Sequence, residues 1–153
     1  MAHLTYRPYR DENDIPTISS LIEKDLSEPY SIFTYRLFVS RWPDLCEMCF
    51  DRDTLIGVVL CKIDRHKSGT LRAYIGMLAV EKAFRHRGIA MKIVETVMER
   101  IKGHGADDVV LEAEVTNEAA LAFYDKLGFI RTKRLSIYYL SGKDAYRLKK
   151  FIK

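Results

Sequence analysis

Cysteine is scarce in this sequence, with three residues at 46, 49 and 61. An odd, low count excludes a disulfide framework and points to a reducing compartment. Cys46 and Cys49 spell C-x-x-C, but no second C-x-x-C and no H-x-x-x-H follows, so a zinc site lacks two ligands and no metal is expected. A redox C-x-x-C opens a helix, whereas this one lies in the strand-like run 45–50, so buried or edge-strand thiols are the better reading. Proline is limited to four and glycine to eight, with no Gly/Ser/Pro-rich stretch, repeat or low-complexity segment to divide the chain. Residues 1–153 therefore read as one domain. Long hydrophobic runs are missing too. A run such as 56–61 is far too short to cross a bilayer, and the first seven residues lack the apolar stretch of a secretory signal. The expectation is a cytoplasmic protein with no membrane partner. Charge of one sign is not in excess either. The net +4 is too small to argue for DNA, though it suits a small anionic partner.

What is present is a globular balance, with 48% apolar and 30% charged residues. Residues 4–9 alternate as a first strand, placed at a sheet edge by Pro8. Asp14 reads as the N-cap of a helix running to about residue 25, with Ile15, Ile18, Leu21 and Ile22 at helical spacing. Ser31 caps a second helix that carries Phe33, Leu37, Phe38 and Trp42 and stops at Pro43. Strands at 45–50, 55–63 and 71–80 follow, separated by short polar turns. Residues 88–102 form an amphipathic helix with Ile89, Ile93, Val97 and Ile101 on one stripe. A strand at 109–115, a helix at 117–127 and strands at 129–140 and 145–152 complete the chain. The order implies an α/β (α+β) domain: one mixed, mostly antiparallel sheet of about seven strands flanked by four helices, with a parallel crossover within residues 71–115.

The chemically informative stretch is 77–90, where a strand ends, a basic loop follows and a helix opens at Gly88. A helix N-terminus presents unpaired N–H groups and a positive dipole end, a ready anion site. Gly88 permits close backbone approach, Ala90 stays small, and Arg85 and Arg87 add charge. No Walker lysine pattern and no G-x-G-x-x-G is present, which disfavours nucleoside triphosphates and dinucleotides. Glu112 and Glu114 lie two apart on one strand and share a face about 7 Å apart along the chain. By residue type alone they are a solvated strand face, and Tyr124 is a core residue.

Motif context changes that weighting. Residues 85–90, Arg-His-Arg-Gly-Ile-Ala, resemble the R/Q-x-x-G-x-G/A loop of the GNAT acetyltransferase superfamily. Residues 117–129 resemble its second signature, N-x-x-A-x-x-x-Y-x-x-x-G-F, in the expected order. The segments 25–32, 41–43, 74–80, 111–114 and 138–140 are similar to the catalytic subunits of NatC N-terminal acetyltransferases. The similarity spans about residues 6–148, and D-L-S-E-P-Y at 25–30 is its most specific part.

The resemblance implies a GNAT fold and direct transfer of acetyl from acetyl-CoA to the α-amine of protein N-termini that begin with Met and a bulky apolar residue. It implies Glu112 as base and Tyr124 as acid. It places Leu78, Ala79, Val80, Arg85, His86, Arg87, Gly88, Ile89, Ala90, Asn117 and Tyr124 around the cofactor. Leu26, Glu28, Tyr30, Tyr138 and Tyr139 would form the peptide site, with either of the two late tyrosines facing it. Implied partners are the nascent N-terminus, NatC auxiliary subunits and the ribosome. Transfer to lysine side chains or small amines, or a non-catalytic scaffold, are the alternatives. The basic run 147–153 reads either as an RNA or partner contact or as a solvated tail.

Overall fold

The computed structural model describes residues 3–24, 30–136 and 142–153. The elements run β1 (Leu4–Pro8), α1 (Asp14–Glu23), α2 (Ile32–Val39), β2 (Cys46–Asp51), β3 (Thr54–Arg65), β4 (Leu71–Val80), α3 (Ile89–Gly103), β5 (Asp108–Glu114), α4 (Glu118–Lys126), β6 (Ile130–Leu135) and β7 (Ala145–Phe151). Short 3-10 turns occupy Pro43–Leu45 and Lys82–Phe84. The seven strands form one sheet in the order β1-β2-β3-β4-β5-β7-β6. β4 and β5 are parallel, while β1–β2, β2–β3, β5–β7 and β6–β7 are antiparallel. This is the mixed, mostly antiparallel sheet with four helices that the hydrophobic pattern implies.

The chain packs as two compact units, Met1–Ile63 with Ile75–Gly105, and Asp64–Tyr74 with Ala106–Lys153. In the first unit β1 is an edge strand for a visible reason. Backbone bonds Arg52 N–H to His3 O (3.0 Å) and Tyr9 N–H to Cys46 O (3.0 Å) set the ladder, so Pro8 falls on the outward side where no donor is needed. α3 buries Ile89, Ile93, Val97 and Ile101, as its 3.6-residue period requires; each such burial contributes roughly 1.5–3 kcal/mol. α3 is also pinned by Arg100, which donates to Asp44 O (3.0 Å) and to the buried Glu47 carboxylate (2.9 Å). Cys46, Cys49 and Cys61 are free and buried, which is the thiol reading of the C-x-x-C.

Two local expectations change. Asp14 is the first residue of α1 rather than its cap, and position 13 is the N-cap. The Asp14 carboxylate is taken instead by the Arg7 guanidinium (2.8 and 3.0 Å) and the Arg10 N–H (2.8 Å). α2 ends at Val39, short of Trp42, because the residue before a proline is pushed away from helical geometry; Trp42 sits at φ −133°, ψ 56°. α2 turns Tyr35, Phe38 and Val39 inward and leaves Phe33 and Leu37 exposed.

The second unit is stapled at the start of the parallel ladder. Arg72 forks onto the buried Asp108 (2.9 and 3.1 Å), its register partner. Leu71 and Asp107 exchange two further bonds, Leu71 N–H to Asp107 Oδ2 (2.8 Å) and Asp107 N–H to Leu71 O (2.7 Å). The basic run 147–153 is not a free tail. It is mostly β7, and Arg147, Lys149 and Lys153 face Glu112, Asp108 and Asp107, while Lys150 donates to Leu127 O.

Candidate functional site

The first unit carries the anion-binding loop. β4 alternates buried and half-buried residues to its end, placing Leu78, Ala79 and Val80 immediately before the loop. Its ladder with β5 covers Arg72–Tyr74, and residues 75–80 run on past it. Two residues in the loop are left-handed, His86 at φ 64° and Gly88 at φ 80°. Left-handed positions of this kind turn backbone N–H groups toward a common concavity that suits anions. A Cβ added at Gly88 would meet nothing within 4 Å, so the glycine is there for its backbone angle and for open space. Gly88 caps α3, whose first N–H groups have no intrahelical acceptor. Ile89 is buried and anchors the loop, its Cγ2 lying 3.0 Å from where a Cβ on Gly57 would stand. Ala90 is half-buried beside it. Arg85 folds back, its Nε donating to Val80 O (3.1 Å), and the Arg87 guanidinium lies 5.1 Å from the Phe84 ring centroid. The arrangement fits the phosphates of coenzyme A.

The second unit carries Glu112, Asn117 and Tyr124. Glu112 projects from β5 directly opposite Arg147 of β7, with 3.7 Å between Oε1 and Nη2 and a side chain only 9% exposed. Glu114 is committed elsewhere, accepting from the Thr116 hydroxyl (2.8 Å) and facing Lys143 (3.4 Å). The two carboxylates are thereby told apart: Glu114 shapes the turn into α4, and Glu112 is held by a cross-strand charge. Asn117 is the N-cap of α4, its Oδ1 accepting from Ala120 N–H (3.1 Å). Tyr124 is buried in α4 and packs edge-on to Phe123 (5.0 Å) and Phe129 (5.3 Å). Lys150, which reaches the end of α4, projects from the face of β7 opposite to that of Arg147, since strand neighbours alternate.

Tyr30 is 39% exposed and meets the ring of buried Tyr35 edge-on at 6.1 Å. Leu26, Glu28, Tyr138 and Tyr139 lie outside the described residues. Single-residue reasoning passes over Arg147 and Tyr35. The partner of Glu112 follows only from strand register, and the inward face of α2 only from tertiary packing. Among the described residues no group of three or more His, Cys, Asp or Glu is placed to hold a metal ion, and no helix is long and apolar enough to cross a membrane.

The left-handed turn and the helix opening on an exposed basic loop make an anion-binding site in the first unit. The chain belongs to the acetyltransferase (GNAT) family, whose model matches residues 15–129. It is 49% identical over 146 residues to N-alpha-acetyltransferase MAK3 of Arabidopsis thaliana, covering 95% of this chain and 76% of that one. It is 49% identical over 144 residues to N-alpha-acetyltransferase 30 of Schizosaccharomyces pombe, covering 94% of this chain and 95% of that one. These identities place it among the N-alpha-acetyltransferases of the family. The crystal structure of the NatC complex bound to Gag peptide and CoA matches with a TM-score of 0.94 at 42% identity over 99% of each chain.

Proposed function

We propose that this chain, acting as a single acetyltransferase domain over residues 1–153, transfers acetyl from acetyl-CoA to the α-amino group of protein N-termini that begin with Met and a bulky apolar residue. The observation that carries the reading is the end-to-end likeness, at 42% identity, to a NatC chain whose crystal contains both Gag peptide and CoA. Auxiliary subunits of the NatC kind, the nascent chain at the ribosome and a cytoplasmic setting are part of the same proposal.

Acetyl-CoA supplies the activated acyl group, and this chain's residues have three tasks. The first is holding the coenzyme. The N–H groups that open α3 and the loop 85–90 bind its phosphates, and Asn117 contributes from the cap of α4. The second is proton removal. An α-amine has a pKa of about 7.7–8.0, so a substantial neutral fraction exists near pH 7 and only a modest base is needed. Glu112 accepts that proton, directly or through water, and the opposing Arg147 fixes the carboxylate. The third is charge stabilisation. Backbone N–H groups at Leu78 and Ala79 donate to the carbonyl oxygen as it gains charge. The departing thiol has an ordinary pKa near 8.5, so the weakly acidic phenol of Tyr124 suffices to protonate it. Leu26, Glu28 and Tyr30, with Tyr138 or Tyr139, receive the peptide.

The test is coenzyme A release with a Met-Leu peptide. Glu112→Gln should lower kcat about 10²-fold or more, as loss of a general base does, with the KM for acetyl-CoA nearly unchanged. Tyr124→Phe should also lower kcat. Full turnover in both variants would remove these two assignments.

A further inference from the structure

We infer that Tyr35 is a positioning residue that sets the selectivity of the peptide site by fixing the ring of Tyr30. The inference rests on the assignment of Tyr30 to that site proposed above.

Tyr30 precedes α2 by two residues and is 39% exposed, so its ring has solvent on one side. On the other side stands Tyr35, which is 1% exposed. The ring centroids are 6.1 Å apart with the planes at 85°, an edge-to-face contact that specifies orientation as well as distance. Tyr35 can impose an orientation only if α2 is itself fixed, and it is. Phe38, one helical turn further on, lies against Gly76 of β4 so closely that a Cβ there would fall 2.2 Å from its Cζ. The Lys62 ammonium lies 5.8 Å from the centroid of the same Phe38 ring. α2 is therefore seated on β4 at a glycine, and Tyr35 passes that fixed position on to Tyr30.

The hydroxyl of Tyr35 is not what does this. Its Oη is buried with no hydrogen-bond partner among the described residues. Burial, with the charge of Glu23 and the nearby Tyr30 adding to it, pushes the phenol up to about 12, so it stays neutral. A phenylalanine ring in the same place would meet Tyr30 in the same way.

The experiment compares kcat/KM on Met-Leu and Met-Ala peptides for the parent, Tyr35→Phe, Tyr35→Leu and Tyr30→Ala. From the usual strength of an edge-to-face pair, Tyr35→Leu should lower the Met-Leu to Met-Ala preference roughly two- to tenfold. The loss should appear in peptide KM, with the KM for acetyl-CoA within about twofold of the parent. Tyr35→Phe should keep the preference. Should Tyr35→Leu melt below the assay temperature, Tyr35→Met takes its place with the same expectation. An unchanged preference in Tyr35→Leu beside a reduced one in Tyr30→Ala overturns the inference and leaves Tyr30 in the site. A Tyr35→Phe loss as large as that of Tyr35→Leu overturns it in favour of the hydroxyl. An unchanged preference in Tyr30→Ala removes Tyr30 from the peptide site and the inference with it.

Discussion

Adding one methyl group at Gly76 sets it against the ring of Phe38. A Cβ there would lie 2.2 Å from Cζ, 2.5 Å from Cε1 and 3.2 Å from Cε2. Carbon atoms in good contact stand about 3.5–4.0 Å apart, so the ring must move by more than an ångström. Phe38 is 6% exposed and cannot simply swing into solvent. Overpacking of this kind costs about 1–3 kcal/mol. At about 2–4 °C per kcal/mol for a chain of this size, Gly76→Ala should lower Tm by about 2–12 °C in a circular-dichroism melt. The same methyl should be tolerated when the ring is trimmed. Gly76→Ala combined with Phe38→Leu should be less destabilised than the sum of the single changes, by about 1 kcal/mol or more. A Gly76→Ala protein that melts within 1 °C of the parent, or a strictly additive double variant, would refute the reasoning that α2 seats on β4 at this glycine.

Other outcomes follow from the same geometry. Arg7 holds the Asp14 carboxyl below its ordinary value, so the pair's contribution is full above about pH 4 and is lost as pH falls through the lowered folded-state value. Asp14→Asn should therefore cost about 1–3 kcal/mol near neutral pH in urea unfolding and flatten the acid limb of the stability profile. Burial pushes the Cys46 thiol up to about 12 and raises Cys49 and Cys61 as well. All three should resist a thiol reagent at pH 8 in the native protein and react together in denaturant. Arg72→Leu leaves Asp108 buried with, among the described residues, a distant Lys149 (4.0 Å), and should destabilise by about 3 kcal/mol in the same urea titration.

The sequence pattern reveals the framework where periodicity is strict. β4 alternates from Arg72 to its end, and α3 keeps its stripe because its opposite face is polar. The loop that opens α3 and the Asn117 cap are legible because both depend on local backbone chemistry: a glycine at positive φ and an amide oxygen on its own helix. α2 is less legible. Ile-Phe-Thr-Tyr-Arg-Leu-Phe-Val is apolar nearly all round, so its inward face is chosen by the gap over Gly76 rather than by period. Asp14 has the residue type of a cap, but Arg7 on the neighbouring strand competes for it and wins. The partner of Glu112 is equally hidden, because Arg147 lies 35 residues away and meets it only through the register of β5 and β7.

The most direct measurement uses one peptide that begins Met-Leu, has a free N-terminus and carries a single internal lysine. After incubation with acetyl-CoA, mass spectrometry locates the added acetyl group. The account predicts modification at the α-amine, with a peptide beginning Ser-Leu reacting far more slowly. Acetylation of the lysine side chain, or equal rates on the two N-termini, would contradict it.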